Sequence, residues 1–397
     1  MRVALVNNDD FSAWHFRKGL IRALCERGHT VYVLTPVVPG RRYAQMIEGL
    51  GARHCPIPLH RFMSPLRDLH LVWALYRILK RERIQLVHNM TVKPMIYGAI
   101  AARLAGAKRV LGLVSGTGLP FLEEASWRRL FLRRVVVLLY RIALAMTDKV
   151  WFQNVDDLEL FCSLGLTTRA QAVLVRSGGV DLKEFSANSI QARLAQDVRT
   201  ELGLSEDAVN IVMIVARLIW SKGIREFVAA ARRLSAECPR ARFFLVGPHE
   251  AQHPDAVPPD FLRQAEAPNL RVVSHFRQDI REILSVADIV VLPSYFREGV
   301  PRVLLEALAM SKPIITTNGQ GCREVVEHGC NGYLVPARDP DALASAVASL
   351  AGDESLRRKF GLRSRVKAET EFDEQAVVKS VLDSVYEIPD RGAALPA

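Results

Sequence analysis

Short apolar runs separated by longer amphipathic stretches recur along this chain in two successive series. That alternation constrains the fold more than any other feature of the sequence. In the first series, residues 3–6, 31–35, 86–88, 110–114 and 149–153 read as strands, with helical patterns such as 17–27 and 97–105 between them. In the second, 211–216, 242–246, 270–273, 289–292, 313–316 and 332–335 are the strands, and 224–234 is a helix among them. Strands apolar on both faces belong to parallel sheets covered by helices. The predicted class is α/β, with two Rossmann-like doubly wound domains facing across a cleft. A chain of 397 residues is too long for one ordinary core and suits two. Ser177-Gly178-Gly179-Val180-Asp181 is the turn-rich stretch between the two series. The predicted domains are therefore 1–177 and 178–365, followed by a helix at 366–388 that crosses back to the first domain and a frayed tail at 389–397. In such sheets ligands bind beyond the C-terminal ends of the strands, and two of them offer one site per substrate.

The formal net charge of +11 is unevenly spread. Residues 1–180 hold 26 Lys and Arg against 12 Asp and Glu, and the remainder holds 27 against 30. A phosphorylated substrate, an anionic membrane, nucleic acid or a generally Arg-rich composition would each give a basic first half. No helix-turn-helix, zinc or RNA-binding signature accompanies it, so nucleic acid is not an expected partner. The six cysteines form no C-x-x-C pair, which fits a reducing compartment and implies no metal site. Residues 1–6 read as a strand rather than a secretory leader. The apolar stretch 130–146 is broken by Arg133, Arg134 and Arg141, which argues against a spanning helix. Trp127, Arg128, Arg129, Arg133 and Arg134 join large apolar groups to basic ones and are the candidate membrane contacts. The alternative is a domain helix with a basic solvated face. The expected location is cytoplasmic, peripheral on the inner face of the cytoplasmic membrane.

Two motifs carry the chemistry. Residues 297–306, REGVPRVLLE, follow a strand and lead into a helical pattern. If all eight steps from Glu298 to Glu306 were helical, the rise would be about 12 Å. A glycosidase pair flanks one bond at roughly 5–9.5 Å, so this spacing suits the two ends of a long ligand instead. Gly299 permits close backbone approach, and the first N–H groups of the helix can receive phosphate. Glu306 lies among Leu304, Leu305, Ala307 and Leu308, which makes a merely solvated carboxylate a weak reading. The second motif, ARLIWSKG at 216–223, puts Arg217 and Lys222 on one strand-to-helix loop, a suitable clamp for a diphosphate.

With the stretch 177–185 and residues 329–335, GCNGYLV, these motifs resemble glycosyltransferase family 4, the retaining enzymes of the two-Rossmann GT-B fold. The resemblance covers almost the whole chain. It implies that Arg217 and Lys222 neutralise the donor diphosphate, that Glu298 contacts the donor sugar and that Glu306 accepts from the ribose. Backbone groups around Gly299, Val300, Pro301, Arg302 and Val303 would hold the phosphates. It implies a nucleotide-sugar substrate, expected to be a UDP-sugar, with no cofactor and no metal. On the acceptor side the family's Gly pair after the first strand is replaced by Asn7-Asn8-Asp9-Asp10, and its later catalytic His by Val114-Ser115-Gly116-Thr117-Gly118. His15, Arg17, His88, Gly116, Thr117 and Gly118 remain as candidates there. His15-Phe16-Arg17, Gly116-Thr117-Gly118, the 220–223 loop and Gly319-Gln320-Gly321-Cys322 with Glu324 further resemble a bacterial subgroup. Its members add hexoses or hexosamines to polyprenyl-diphosphate-linked sugars. The alternatives are a sugar-nucleotide epimerase of the same two-domain shape and a glycosyltransferase with a soluble acceptor. A dehydrogenase would need G-x-G-x-x-G after its first strand, and residues 7–17 contain no glycine.

Overall fold

The computed structural model describes residues 1–36, 42–60, 64–116, 127–186, 189–204 and 207–388, the side chains of 127–132 excepted. The chain forms two compact units, Met1–Gly178 with Glu374–Ala397, and Gly179–Asp373. The first runs β1 (Arg2–Val6), α1 (Asp10–Glu26), β2 (Thr30–Thr35), α2 (Arg42–Glu48), β3 (Arg53–Pro56), α3 (Pro65–Arg81) and β4 (Leu86–Met90). A π-helical turn (Pro94–Gly98) then runs into α4 (Ala99–Leu104), followed by β5 (Arg109–Val114), α5 (Trp127–Ala145), β6 (Lys149–Phe152), α6 (Val155–Ser163) and β7 (Ala172–Leu174). The second unit continues with α7 (Ala192–Leu202), β8 (Val209–Ile214), a 3-10 turn (Trp220–Lys222), α8 (Ile224–Glu237), β9 (Ala241–Val246), α9 (Pro259–Ala265) and β10 (Leu270–Val273). It closes with α10 (Ile280–Val286), β11 (Ile289–Leu292), α11 (Arg302–Ala309), β12 (Ile314–Thr317), β13 (Gly332–Val335), α12 (Pro340–Gly352) and α13 (Glu354–Glu371). The last helix, α14 (Glu374–Ser384), belongs to the first unit.

Both sheets are parallel, with strand orders β3-β2-β1-β4-β5-β6-β7 and β10-β9-β8-β11-β12-β13. Each order reverses once, at β1/β4 and at β8/β11, and a crevice for ligand opens at the carboxyl ends of such a pair. The strands are buried because their residues are apolar on both faces: all of β8 and all but the first residue of β1 are inaccessible.

The α/β class expected from the sequence is the one observed, with differences that have local causes. Edge strands β3 and β7 lie outside the predicted set. β3 is Arg-His-Cys-Pro and β7 has three residues, so neither offers an apolar run. Helix α1 begins seven residues before the predicted 17–27, because Asp9 caps it by accepting from the Ser12 N–H at 2.6 Å. The closing segment is two helices rather than one from 366 to 388. Phe372, fully buried in the second unit's core, stops α13, and its carbonyl accepts from the Val180 N–H at 2.8 Å. The chain re-enters the first unit at Glu374, and α14 buries Val377, Val378, Val381 and Leu382 there. Each such side chain contributes about 1.5–3 kcal/mol. The expected tail, 389–397, lies outside the described residues.

Candidate functional site

The site is built where β8 and β11 of the second unit lie side by side. Beyond β8 the chain makes the 3-10 turn Trp220–Lys222 and ends it at Gly223, φ +81°. A Cβ at Gly223 would sit 2.2 Å from the Pro293 carbonyl oxygen, so only glycine lets this loop press against the one after β11. The contact is sealed by backbone bonds: the N–H groups of Tyr295 and Phe296 both donate to the Ser221 carbonyl, at 2.9 and 3.0 Å. Asp255 holds the turn from the other side, its carboxylate accepting from the Ser221 N–H at 3.0 Å and the Ser221 hydroxyl at 2.5 Å.

This framework brings Lys222 and Glu298 into a direct ion pair, with side chains only 11 and 13% exposed. The Ser294 hydroxyl donates to the same carboxylate oxygen at 3.0 Å, and Lys222 Nζ lies 5.5 Å from the centre of the Phe296 ring. A shielded pair of this kind depends on both members, since either one alone leaves a poorly solvated charge. Arg217 sits half-buried on the same loop as Lys222. Pro301 stands at the N-cap of α11, so only the second half of the Glu298–Glu306 interval is helical and the all-helical 12 Å spacing does not apply. Glu306 is buried on α11 and accepts from Arg302 Nε at 2.7 Å. Gly299 and Pro301 are buried, while Val300 and Val303 are half-buried beside them.

Asp255, Ser294 and Thr317 belong to this site and were not singled out by sequence, while Ser221 and Gly321 entered there only as members of the 220–223 and 319–322 motifs. Thr317 donates to the Ser294 carbonyl at 2.5 Å. Gly321, φ +71°, lies so close to the Glu298–Gly299 backbone that a Cβ there would stand 1.6 Å from the Gly299 carbonyl oxygen. The neighbouring Cys322 is fully buried; burial first, then the Glu298 charge, pushes its thiol up to about 12. It therefore serves as a neutral packing group.

The first-unit candidates fall in different surroundings. His15, on α1, stacks on Phe11 at 4.2 Å and on Tyr43 at 5.3 Å between ring centres. Arg17 is 8% exposed, donates to Met90 Sδ at 3.2 Å and to the Phe16 carbonyl at 2.9 Å, and lies 5.2 Å from the Trp151 ring centre. A small cavity beside it is lined by Leu20, Trp151, Gly178, Glu374 and Val378. His88 is not at the surface as expected for an acceptor contact. It is fully buried on β4, its Nδ1 2.8 Å from the Tyr386 hydroxyl. Burial, with Arg17 second, pushes its imidazole down to about 3, so it is neutral. Gly116 follows β5 at φ +99°. Thr117, Gly118 and the side chains of Trp127, Arg128 and Arg129 lie outside the described residues. Arg133 is half-buried and Arg134 exposed on α5.

Two doubly wound parallel units, one with a Lys–Glu pair and an Arg–Glu pair at its switch point, have the architecture of the GT-B fold. The chain belongs to glycosyltransferase family 4: residues 18–152 match "Glycosyltransferase Family 4" and residues 209–353 match "Glycosyl transferases group 1". It is 28% identical over 96% of its length, and 97% of the relative's, to N,N'-diacetylbacillosaminyl-diphospho-undecaprenol alpha-1,3-N-acetylgalactosaminyltransferase of Campylobacter jejuni. It is 29% identical to UDP-Gal:alpha-D-GlcNAc-diphosphoundecaprenol alpha-1,3-galactosyltransferase of Escherichia coli, over 75% of this chain and 74% of that one. The crystal structure of Anabaena HepE in complex with UDP-glucose has the same fold, at TM-score 0.78 and 21% identity, covering 98% of this chain and all of that one.

Proposed function

We propose that this enzyme transfers a hexose or N-acetylhexosamine from a UDP-sugar to a saccharide carried on a polyprenyl diphosphate, with retention of anomeric configuration and without a metal. The paired Lys222–Glu298 at the β8/β11 switch point carries this reading. A diphosphate entering the crevice meets Lys222, Arg217 and the N-terminus of α11. Those positive groups stabilise the charge that grows on the leaving diphosphate. Glu298, held by Lys222 and Ser294, is set to accept from donor-sugar hydroxyls. Glu306, steadied by Arg302, is set to accept from the ribose. Among the described residues of the site, Glu298 and Glu306 are paired with cations and Asp255 is held by Ser221, which leaves no carboxylate set up as an independent nucleophile. That favours attack from the leaving-group face, with the departing diphosphate taking the acceptor proton. The two relatives named above, whose names specify undecaprenol-linked acceptors, support the acceptor class. Among the described residues no helix is long and apolar enough to cross a membrane. The proposed enzyme meets its lipid-linked acceptor as a peripheral protein on the cytoplasmic leaflet.

The test is an assay of nucleotide-sugars with and without an undecaprenyl-diphosphate-linked acceptor, run in EDTA. Acceptor-dependent release of UDP and an α linkage by NMR from an α-linked donor are expected. Conversion of the nucleotide-sugar without acceptor would replace this reading with epimerisation. Loss of activity in EDTA with rescue by a divalent ion would overturn the metal-free mechanism, and a β-linked product the retaining one.

A further inference from the structure

Helix α3 of the first unit carries a face that the transfer chemistry does not use. Leu71, Leu75 and Leu79 point into the core. On the opposite side Leu66, Leu69 and Trp73 are 82, 67 and 53% exposed. Spacings of three and four residues place these three on one stripe over the first turns of the helix. A single exposed leucine is ordinary, but a stripe of three large apolar groups marks an interaction surface. The following turns present Arg77, Lys80 and Arg81, all exposed. The Arg77 guanidinium lies 4.6 Å from the Trp73 ring centre, Lys80 donates to the Tyr76 hydroxyl at 2.7 Å and Arg81 meets Glu82 at 2.8 Å. The one carboxylate within the helix, Asp68, is 4% exposed. It accepts from Lys93 Nζ at 2.6 Å, the Tyr97 hydroxyl at 3.1 Å and the Ser64 N–H at 3.1 Å. The exposed face of α3 therefore carries its large apolar groups on the first turns, with exposed Arg67 and His70 beside them, and Arg77, Lys80 and Arg81 on the later turns, with Glu82 next to Arg81 just past the helix.

We infer that α3 seats this protein on an anionic lipid bilayer, with Leu66, Leu69 and Trp73 entering the interfacial layer and Arg77, Lys80 and Arg81 meeting lipid phosphates. The inference rests on the lipid-linked-acceptor reading and names the surface that reading requires. Segregated apolar and basic surfaces on one helix fit an interface whose own apolar and anionic layers are separated in depth. Tryptophan and long basic side chains are suited to that boundary. A second copy of the chain fits less well, because it would oppose the basic end with like charge. On the described part of helix α5, where the sequence placed the contact, Arg134, Leu138, Arg141 and Ile142 are interleaved on the exposed surface.

The test is flotation of the full chain with vesicles of phosphatidylglycerol and phosphatidylcholine, against pure phosphatidylcholine. One variant combines Leu66→Ser, Leu69→Ser and Trp73→Ser. A second combines Arg77→Glu, Lys80→Glu and Arg81→Glu. A third, on α5, combines Arg128→Glu, Arg129→Glu, Arg133→Glu and Arg134→Glu. The wild type should partition at least tenfold better into anionic vesicles. Each α3 variant should lose at least tenfold, and the α5 variant less than twofold. Urea unfolding of the first unit should be unchanged throughout, which certifies its fold, and UDP-sugar binding by the second unit should be unchanged as well. Release of the α5 variant with α3 variants bound as wild type would overturn the assignment to α3 and leave peripheral association standing. A wild type that binds no vesicles would overturn both. Vesicle binding retained by the α3 variants while a wild-type dimer becomes monomeric would show that the stripe joins two copies of the chain.

Discussion

The two units share a strand reversal and a parallel sheet, yet they treat their polar residues in opposite ways. At β8/β11 the loops are stitched together through Gly223, Ser221 and Ser294, and the charged side chains Lys222 and Glu298 meet at the crevice. Around β1 and β4 the charged or titratable groups are drawn inward instead. Arg17 packs on Met90 and Trp151, and His88 is sealed against Tyr386. Topology alone therefore does not make a charged crevice. It also takes small residues that let two loops share backbone bonds and so hold a cation and a carboxylate at fixed positions. The β1–α1 connection, Asn7-Asn8-Asp9, has no glycine and spends Asp9 on a helix cap.

The sharpest test of this contrast is Lys222→Met. Removing the cation proposed to face the leaving group should lower kcat by about 10²–10³, the cost of losing one positioned electrostatic donor. Urea unfolding should show the second unit still folded, and Glu298→Gln in the same background should add little, because the pair acts as a unit. Turnover within tenfold of wild type would mean the pair is structural, and the contrast between units would disappear.

A smaller effect should follow from Gly321→Ala. The new Cβ meets the Gly299 carbonyl and the residue already sits at φ +71°, so the Glu298–Gly299 loop must shift. Donor affinity by calorimetry should fall about tenfold or more, a change of about 1.4 kcal/mol. The matched control is Gly106→Ala in the first unit, at φ +82° with nothing within 4 Å of its Cβ. It should cost about 1 kcal/mol of stability through backbone strain and leave donor binding alone. Equal effects at the two glycines would remove the distinction between loop contact and local strain.

Much of this was legible in sequence, for reasons that differ by unit. The central strands announce themselves because both faces are apolar, Lys222 and Glu298 stand out as charges beside glycines on loops that follow strands, and Glu306 stands out as a carboxylate among apolar neighbours. Asp255 and Ser294 do not. Their roles depend on a loop 34 residues from Ser221 and on a hydroxyl at the end of β11, and nothing local in the chain marks either. For His88 the sequence leaves a structural and a chemical role equally open. A histidine at a strand end looks chemical until Tyr386, 298 residues away and just beyond α14, meets it in the core. The α5 contact is read from composition, which shows where basic residues lie, whereas the α3 proposal is read from exposure, which shows which of them share a face with large apolar groups.

The buried histidine gives a pH test of the first unit. Folded His88 is held near 3, against about 6.5 in an unfolded chain, so the unfolded state takes up a proton first as pH falls. The stability it contributes is complete above about pH 6.5 and declines as pH drops toward 3. Between pH 7 and 5.5 the expected loss is about 1 kcal/mol. His88→Gln keeps a hydrogen-bonding group near Tyr386 and removes the titration. The difference in urea midpoints between the two pH values should shrink by that amount, with UDP-sugar affinity unaffected. An unchanged pH dependence would mean that His88 is solvated and charged in the folded enzyme.

The finest distinction concerns Asp255, which touches neither the expected diphosphate nor the sugar but fixes the turn that carries Lys222. Asp255→Ala removes two acceptor contacts from Ser221, one to its N–H and one to its hydroxyl, each worth about 0.5–1.5 kcal/mol. Because Tyr295 and Phe296 still grip the Ser221 carbonyl, the turn should loosen rather than unfold. The expected result is a KM for the nucleotide-sugar raised about three- to tenfold, with kcat changed less than about twofold, since the cation can still reach the leaving group once the donor is bound. Asp255→Asn retains an oxygen acceptor and should recover most of the loss, which a purely electrostatic role would not allow. If Asp255→Ala lowered kcat with KM unchanged, the carboxylate would be acting on the transition state, and the second unit's crevice would be less prebuilt than its hydrogen bonds imply.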